Sequence, residues 1–171
     1  DEEAVWAGRA WRWLETNGHA AGHLCLHQAA DRLLIAGDQV LPSISPNVSL
    51  SGWGVDPDPL DSYLQSLERL AALDPATRVL PSHGRPFIGL QARALELRDH
   101  HHRRLDRLLS ACDAPRTATD LLAVLYRREL KGFHRLLALG EALAHLEYLA
   151  RRGGLARSAD AVGIIRYVRA G

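Results

Sequence analysis

The chain has no methionine, and only two cysteines, Cys25 and Cys112, among its 171 residues. A missing methionine, at position 1 as elsewhere, points to a fragment or a processed chain. Two isolated cysteines build neither a disulfide framework nor a thiolate zinc knuckle. They read as small core residues, reduced thiols in a reducing cytoplasm. No apolar run approaches the roughly 20 residues that span a bilayer, so no membrane partner is expected. No signal peptide is visible: the first 15 residues are acidic, tryptophan-rich and interrupted by charge. With 47% hydrophobic and 24% charged residues, the composition excludes disordered and fibrous classes and predicts a globular protein.

Charge is uneven. From Arg103 onward there are 13 basic and 7 acidic residues, so the preceding part carries −5 against a total of +1. That contrast supports two units of different character. Residues 10–15 alternate large apolar with charged or polar side chains, as a half-buried strand does. Leu24–Leu26 and Leu33–Ile35 read as short strands joined by a polar turn. Pro42, Pro46, Pro57 and Pro59 crowd the segment 42–59, which reads as an irregular surface loop. Leu60, Tyr63, Leu64, Leu67 and Leu70 then recur at helical spacing until Leu73-Asp74-Pro75. Arg78–Leu80 reads as a strand, followed by a long helix over 90–111. Thr117-Ala-Thr-Asp120 reads as a capping box opening a helix through Arg128. A second helix is predicted from about Arg135 to Arg152, closed by Gly153-Gly154, and 155–157 with 164–168 as a hairpin.

Three stretches place a metal-ligating side chain where a strand runs out into a loop: Gly-His-Ala-Ala-Gly-His (18–23), Ala-Gly-Asp (36–38) and Leu-Pro-Ser-His-Gly (80–84). Zinc sites use neutral imidazole and carboxylate, and a carboxylate can bridge two ions. Spacing alone leaves His19 and His83 as turn histidines and Asp38 as a cap. The ordered set, however, resembles the second half of the metallo-β-lactamase superfamily's metal site. The resemblance implies that His19 ligates a first zinc, Asp38 bridges two ions and His83 ligates the second. It leaves His23 as a buried neighbour that supports the ligands. No residue here is assigned as nucleophile or proton carrier. The superfamily's other ligand cluster, His-x-His-x-Asp-His, occurs nowhere in the chain. Three departures stand out: Asn17 where proline is common, Ala20 for serine or threonine, and Ser82 where glycine is frequent.

The resemblance continues through His101-x-x-Arg104 and Ala142–Leu149, which are similar to an appended winged-helix domain. The expected fold is α+β: the C-terminal half of an αββα sandwich at 1–98, then a winged helix at 99–171. In an intact relative a metal-bound hydroxide attacks an ester, thioester or related bond. This chain alone is expected to bind zinc weakly or not at all and to be inactive. An RNA-cleaving member of the superfamily, or a non-catalytic nucleic-acid-binding or dimerisation module, is the alternative. Expected partners are the missing N-terminal half, a small-molecule substrate and a second copy. Nucleic acid, through Arg127, Arg128, Arg135, Arg151, Arg152 and Arg157, is the weaker reading. Trp53 is the substrate-facing candidate of the 42–59 loop. His100-His101-His102 cannot converge on one ion, because consecutive helical residues diverge; one histidine is expected to turn inward.

Overall fold

The computed structural model describes residues 2–50 and 56–171, so Trp53 lies outside the described residues. The chain divides into two units, Asp1–Pro46 with Asp61–Asp99, and Asn47–Leu60 with His100–Gly171. The architecture is a mixed α+β fold.

The first unit is built on a six-stranded sheet: β1 (Glu2–Trp6), β2 (Arg9–Thr16), β3 (His23–Gln28), β4 (Leu33–Gly37), β5 (Arg78–Pro81) and β6 (Phe87–Ile88), hydrogen-bonded in that order. Every pairing is antiparallel except β4 with β5. A parallel pair needs a crossover, and the segment between them contains α1 (Pro59–Ala71). Consequently β2, β4 and β5 all run the same way, and their carboxyl ends share one edge of the sheet. Register and alternation divide the side chains between two faces. Leu14, Cys25, Leu34, Ala36 and Val79 are buried on one face, and Tyr63, Leu67 and Leu70 of α1 with Leu90, Ala94 and Leu97 of α2 (Leu90–Ala111) complete the core. The opposite face carries Trp13, Leu24 and Ile88, which remain 39%, 48% and 60% exposed.

β1 is absent from the sequence reading. Its Glu-Glu-Ala-Val-Trp segment is an exposed edge strand with no buried side of its own. It is turned onto β2 by Ala7 and Gly8, both at positive φ, without the Asn-Gly or Asp-Gly signal that marks such turns.

The second unit contains the rest of α2, a short α3 (Leu122–Leu125), α4 (Gly132–Arg151), and a hairpin of β7 (Leu155–Ala159) and β8 (Ile165–Arg169). The Thr117–Asp120 box does form its reciprocal bonds, Thr117 N to Asp120 Oδ2 and Asp120 N to Thr117 Oγ1. The helix expected through Arg128 nevertheless ends at Leu125, because Tyr126 is extended. Tertiary contacts hold Tyr126 there: its hydroxyl donates to Glu141 Oε2, and its ring lies 4.8 Å from the Arg104 guanidinium carbon. Arg104 Nη2 in turn sits 3.2 Å from Glu141 Oε2, with both side chains nine-tenths buried.

Within the His100–His102 run, His101 is the residue turned inward and His102 is exposed. His145 Nδ1 donates to the Glu141 carbonyl at 2.7 Å, and His145 Nε2 meets His101 Nδ1 at 3.1 Å. Burial, reinforced by neighbouring cationic groups, lowers the His101 pKa to about 2; burial also lowers that of His145, to about 3.

Two outcomes follow. Glu141→Ala leaves Arg104 buried without its counter-charge and should cost about 3 kcal/mol of stability in a urea titration; an unchanged midpoint would show that the pair contributes nothing. Because both histidines titrate lower in the folded state than the ordinary 6.5, the unfolded chain binds more protons below that pH. Stability is therefore full above pH 6.5 and falls as the pH drops toward 3. His145→Gln should flatten that slope.

Candidate functional site

The three loops that leave the shared edge of the sheet bring His19, Asp38 and His83 together. His19 Nε2 is 3.6 Å from Asp38 Oδ2, and His83 Nε2 is 3.6 Å from Asp38 Oδ1. The carboxylate thus stands between two imidazoles, each facing its own oxygen. All three side chains retain some solvent access, greatest at His83. Among the described residues no group of three or more His, Cys, Asp or Glu side chains is disposed to hold a metal ion. The arrangement is therefore two donor pairs sharing one carboxylate rather than a closed cage. Imidazole nitrogen and carboxylate oxygen are donor types that divalent transition ions take.

Each of the three loops is fixed by a different device. Asn17, just past β2, closes the first: its Oδ1 accepts from Gly22 N at 2.7 Å, while its own N donates to Ser66 Oγ of α1 at 3.0 Å. Gln39 Nε2 donates to the Asn17 carbonyl at 3.1 Å, and Tyr63 Oη donates to the Gln39 carbonyl at 3.1 Å. The residue after Asp38 is thereby tied to the loop that carries His19. Arg93 of α2 holds the chain beyond, donating to the carbonyls of Leu41 and Ile44. The third loop continues from β5, where Ser82 N donates to the Gly37 carbonyl at 3.0 Å. Gly84 has φ +87°, and a Cβ there would lie 2.6 Å from Pro42 Cγ, so only glycine passes.

His23 begins β3 beside the cluster. Its Nδ1 lies 2.7 Å from Thr16 Oγ1, its ring is edge-on to His19 with centroids 6.2 Å apart, and its Nε2 faces Gly37. Burial lowers its pKa, the neighbouring His19 lowers it further, and Asp38 acts in the opposite direction. Cys25, two residues on, is a buried free thiol whose pKa burial pushes up to about 11.

Two contributors were not foreseen. Thr16 holds His23, and only its position opposite His23 in the β2–β3 register could have signalled it. Ser82 stood out merely as a departure, yet its hydroxyl donates to Asp38 Oδ1. In the second unit, of the arginines considered for nucleic acid, Arg152 is engaged by Asp58 at 2.8 Å and Arg157 by Glu147 at 2.9 Å. Among the described residues no helix is long and apolar enough to cross a membrane.

Gly37 offers a sharp test of this geometry. Its φ is +54° and an added Cβ would sit 2.7 Å from His23 Nε2; Gly22, at φ +69°, has open space instead. Gly22→Ala should cost only the left-handed strain of about 1–2 kcal/mol. Gly37→Ala should cost more and also shift the His23 ring resonances in an NMR spectrum. Equal costs with unmoved resonances would remove the steric reason for glycine there.

Comparison with known proteins gives a consistent result. Residues 1–83 match the family described as the Metallo-beta-lactamase superfamily, and residues 105–170 match its Metallo-beta-lactamase-like, C-terminal domain. A probable metallo-hydrolase of Bacillus subtilis, YqjP, is 33% identical over 147 residues, which is 81% of this chain and 44% of that protein. Among solved structures, a beta-lactamase domain protein from Burkholderia ambifaria is 43% identical with a TM-score of 0.93, over 99% of this chain and 50% of that one. A metallo-beta-lactamase family protein from Thermus thermophilus is 38% identical with a TM-score of 0.86, over 98% and 52%. The chain spans about half the length of the relatives it matches.

Proposed function

We propose, from the premise of the metallo-β-lactamase superfamily that these matches support, that this chain is the second half of a zinc-dependent hydrolase. Its role in that reading is to supply three ligands. His19 would hold one ion, His83 the other, and Asp38 would bridge them. The observation that carries the reading is the placement of one imidazole against each oxygen of the Asp38 carboxylate.

Bound zinc would supply Lewis acidity and a water acidic enough to attack an ester, thioester or related bond at neutral pH. The residues of this chain do the positioning. Ser82 steadies Asp38 through Oδ1. Thr16 sets the His23 ring, which packs against Gly37 and narrows the freedom of the loop holding Asp38. Asn17, Ser66 and Gln39 keep the His19 loop in register with Asp38. Such outer supports commonly matter 10–100-fold for metal affinity.

Three ligands cannot complete two ions, so the remainder would come from a segment bearing the His-x-His-x-Asp-His cluster. That segment is also the occupant we assign to the apolar sheet face of Trp13, Leu24 and Ile88, which otherwise invites association with a second copy. We read the helices and hairpin of the second unit as the appended winged-helix module, with a packing role.

The test is metal content by elemental analysis after dialysis, for this chain alone and for its complex with an upstream half carrying the missing ligands. The chain alone should retain well under one zinc, and the complex about two. Asp38→Ala should empty the complex. Tight stoichiometric zinc in the chain alone, or a complex that keeps two ions without Asp38, would overturn the assignment.

A further inference from the structure

The second unit has a polar cluster that the hydrolase reading does not use. His100, Arg103, Arg104 and Arg107 follow one another on α2 at i, i+3, i+4 and i+7, the spacing that puts side chains on one face of a helix. They line a single pocket of about 480 Å³ together with Asp106 and Leu125. Like charges three and four residues apart repel, and among the described residues neither Arg103 nor Arg107 forms an ion pair with a carboxylate. Arg107 only donates to the Leu125 carbonyl, at 3.3 Å.

Arg104 is the informative member. Its side chain is 9% exposed, and neither its Nε nor its Nη2 has a hydrogen-bond partner. Glu141 supplies charge at 3.2 Å, but its Oε2 also accepts from the Tyr126 hydroxyl, and its approach to Arg104 lacks hydrogen-bonding geometry. Those two nitrogens are covered, so a ligand in the pocket would be met by the part of Arg104 that lines it and by the exposed Arg103 and Arg107. A planar fork of donors flanked by two more guanidinium groups matches a tetrahedral oxyanion with several acceptor oxygens.

We infer that the pocket of His100, Arg103, Arg104 and Arg107 binds a phosphoryl group, as free phosphate or as a small phosphomonoester. The site lies wholly within the second unit and is independent of the His19–Asp38–His83 cluster. One carboxylate, Asp106, lines it as well, which favours a compact dianion reaching the arginines over an extended chain of phosphates.

Isothermal titration of the 171-residue chain with inorganic phosphate and with adenosine 5′-monophosphate tests this at low salt. Saturable binding of one equivalent, weakened by added chloride, is expected for at least one probe. Phosphate alone binding would assign the site to the free ion, and tighter binding of the monophosphate would assign it to an ester. Arg103→Gln/Arg107→Gln, both exposed in the free chain, should weaken binding about tenfold or more without changing the urea midpoint. Arg128→Gln/Arg151→Gln removes the same charge elsewhere and should leave affinity within twofold. Absence of saturable binding to both probes, or equal loss in the two double variants, would overturn the proposal. Arg104→Lys gives a further check: it keeps the charge but removes the fork, so a folded variant that still binds as well would also count against it.

Discussion

Strand direction is the constraint on which the candidate site depends. Because β4 and β5 pair in parallel while β2 lies two antiparallel steps away, three strands deliver their carboxyl ends to one edge. His19, Asp38 and His83 are separated by as much as 64 residues of sequence, and the strand topology is what joins them. The crossover through α1 does the work of returning the chain to the start of β5. A site made this way inherits the rigidity of the sheet, since each of the three side chains stands within three residues of a paired strand.

Glycine and hydroxyl groups then refine what topology places. Gly37 permits the His23 ring to occupy the space a side chain would take, directly before Asp38. Thr16, directly opposite His23 in the β2–β3 register, fixes which ring nitrogen faces the strand and which faces Gly37. The two devices act on the same imidazole from opposite sides, which explains why a residue outside the expected ligand set is still held so closely. His23 is depressed in basicity chiefly by burial, consistent with a neutral supporting role.

The elements legible in the sequence were those whose pattern and environment agree. β4, α1 and α2 each bury one clear face, β2 and β3 read as strands although each buries residues on both faces, and the ordered Gly-His, Gly-Asp and Ser-His-Gly loops identified the three candidate residues. What escaped notice had weak local signals. β1 exposes nearly every side chain, β6 has two residues, and α3 is cut short by contacts that Tyr126 makes with Arg104 and Glu141, both far away in sequence. That Arg104 is buried while Arg103 and Arg107 stay exposed was not legible in the sequence. Periodicity reports which face of a helix is apolar; it is silent about where a charged residue will find, or lack, a partner.

The three departures from the superfamily pattern become intelligible in physical terms. A proline at position 17 would stiffen the backbone but could not donate to Ser66 or offer an acceptor to Gly22. Asn17 does both, so the loop is anchored by hydrogen bonds to α1 and to itself instead of by a ring. Ala20 contributes its carbonyl to the turn, 3.4 Å from His23 N, a contact for which no hydroxyl is required. Ser82 supplies a hydroxyl on the far side of the carboxylate, where it bonds Asp38 directly. Ser82 and His83 thus meet the same carboxylate oxygen, Oδ1, while Oδ2 faces His19. That arrangement predicts an asymmetric site, in which the carboxylate oxygen facing His83 is the better fixed of the two.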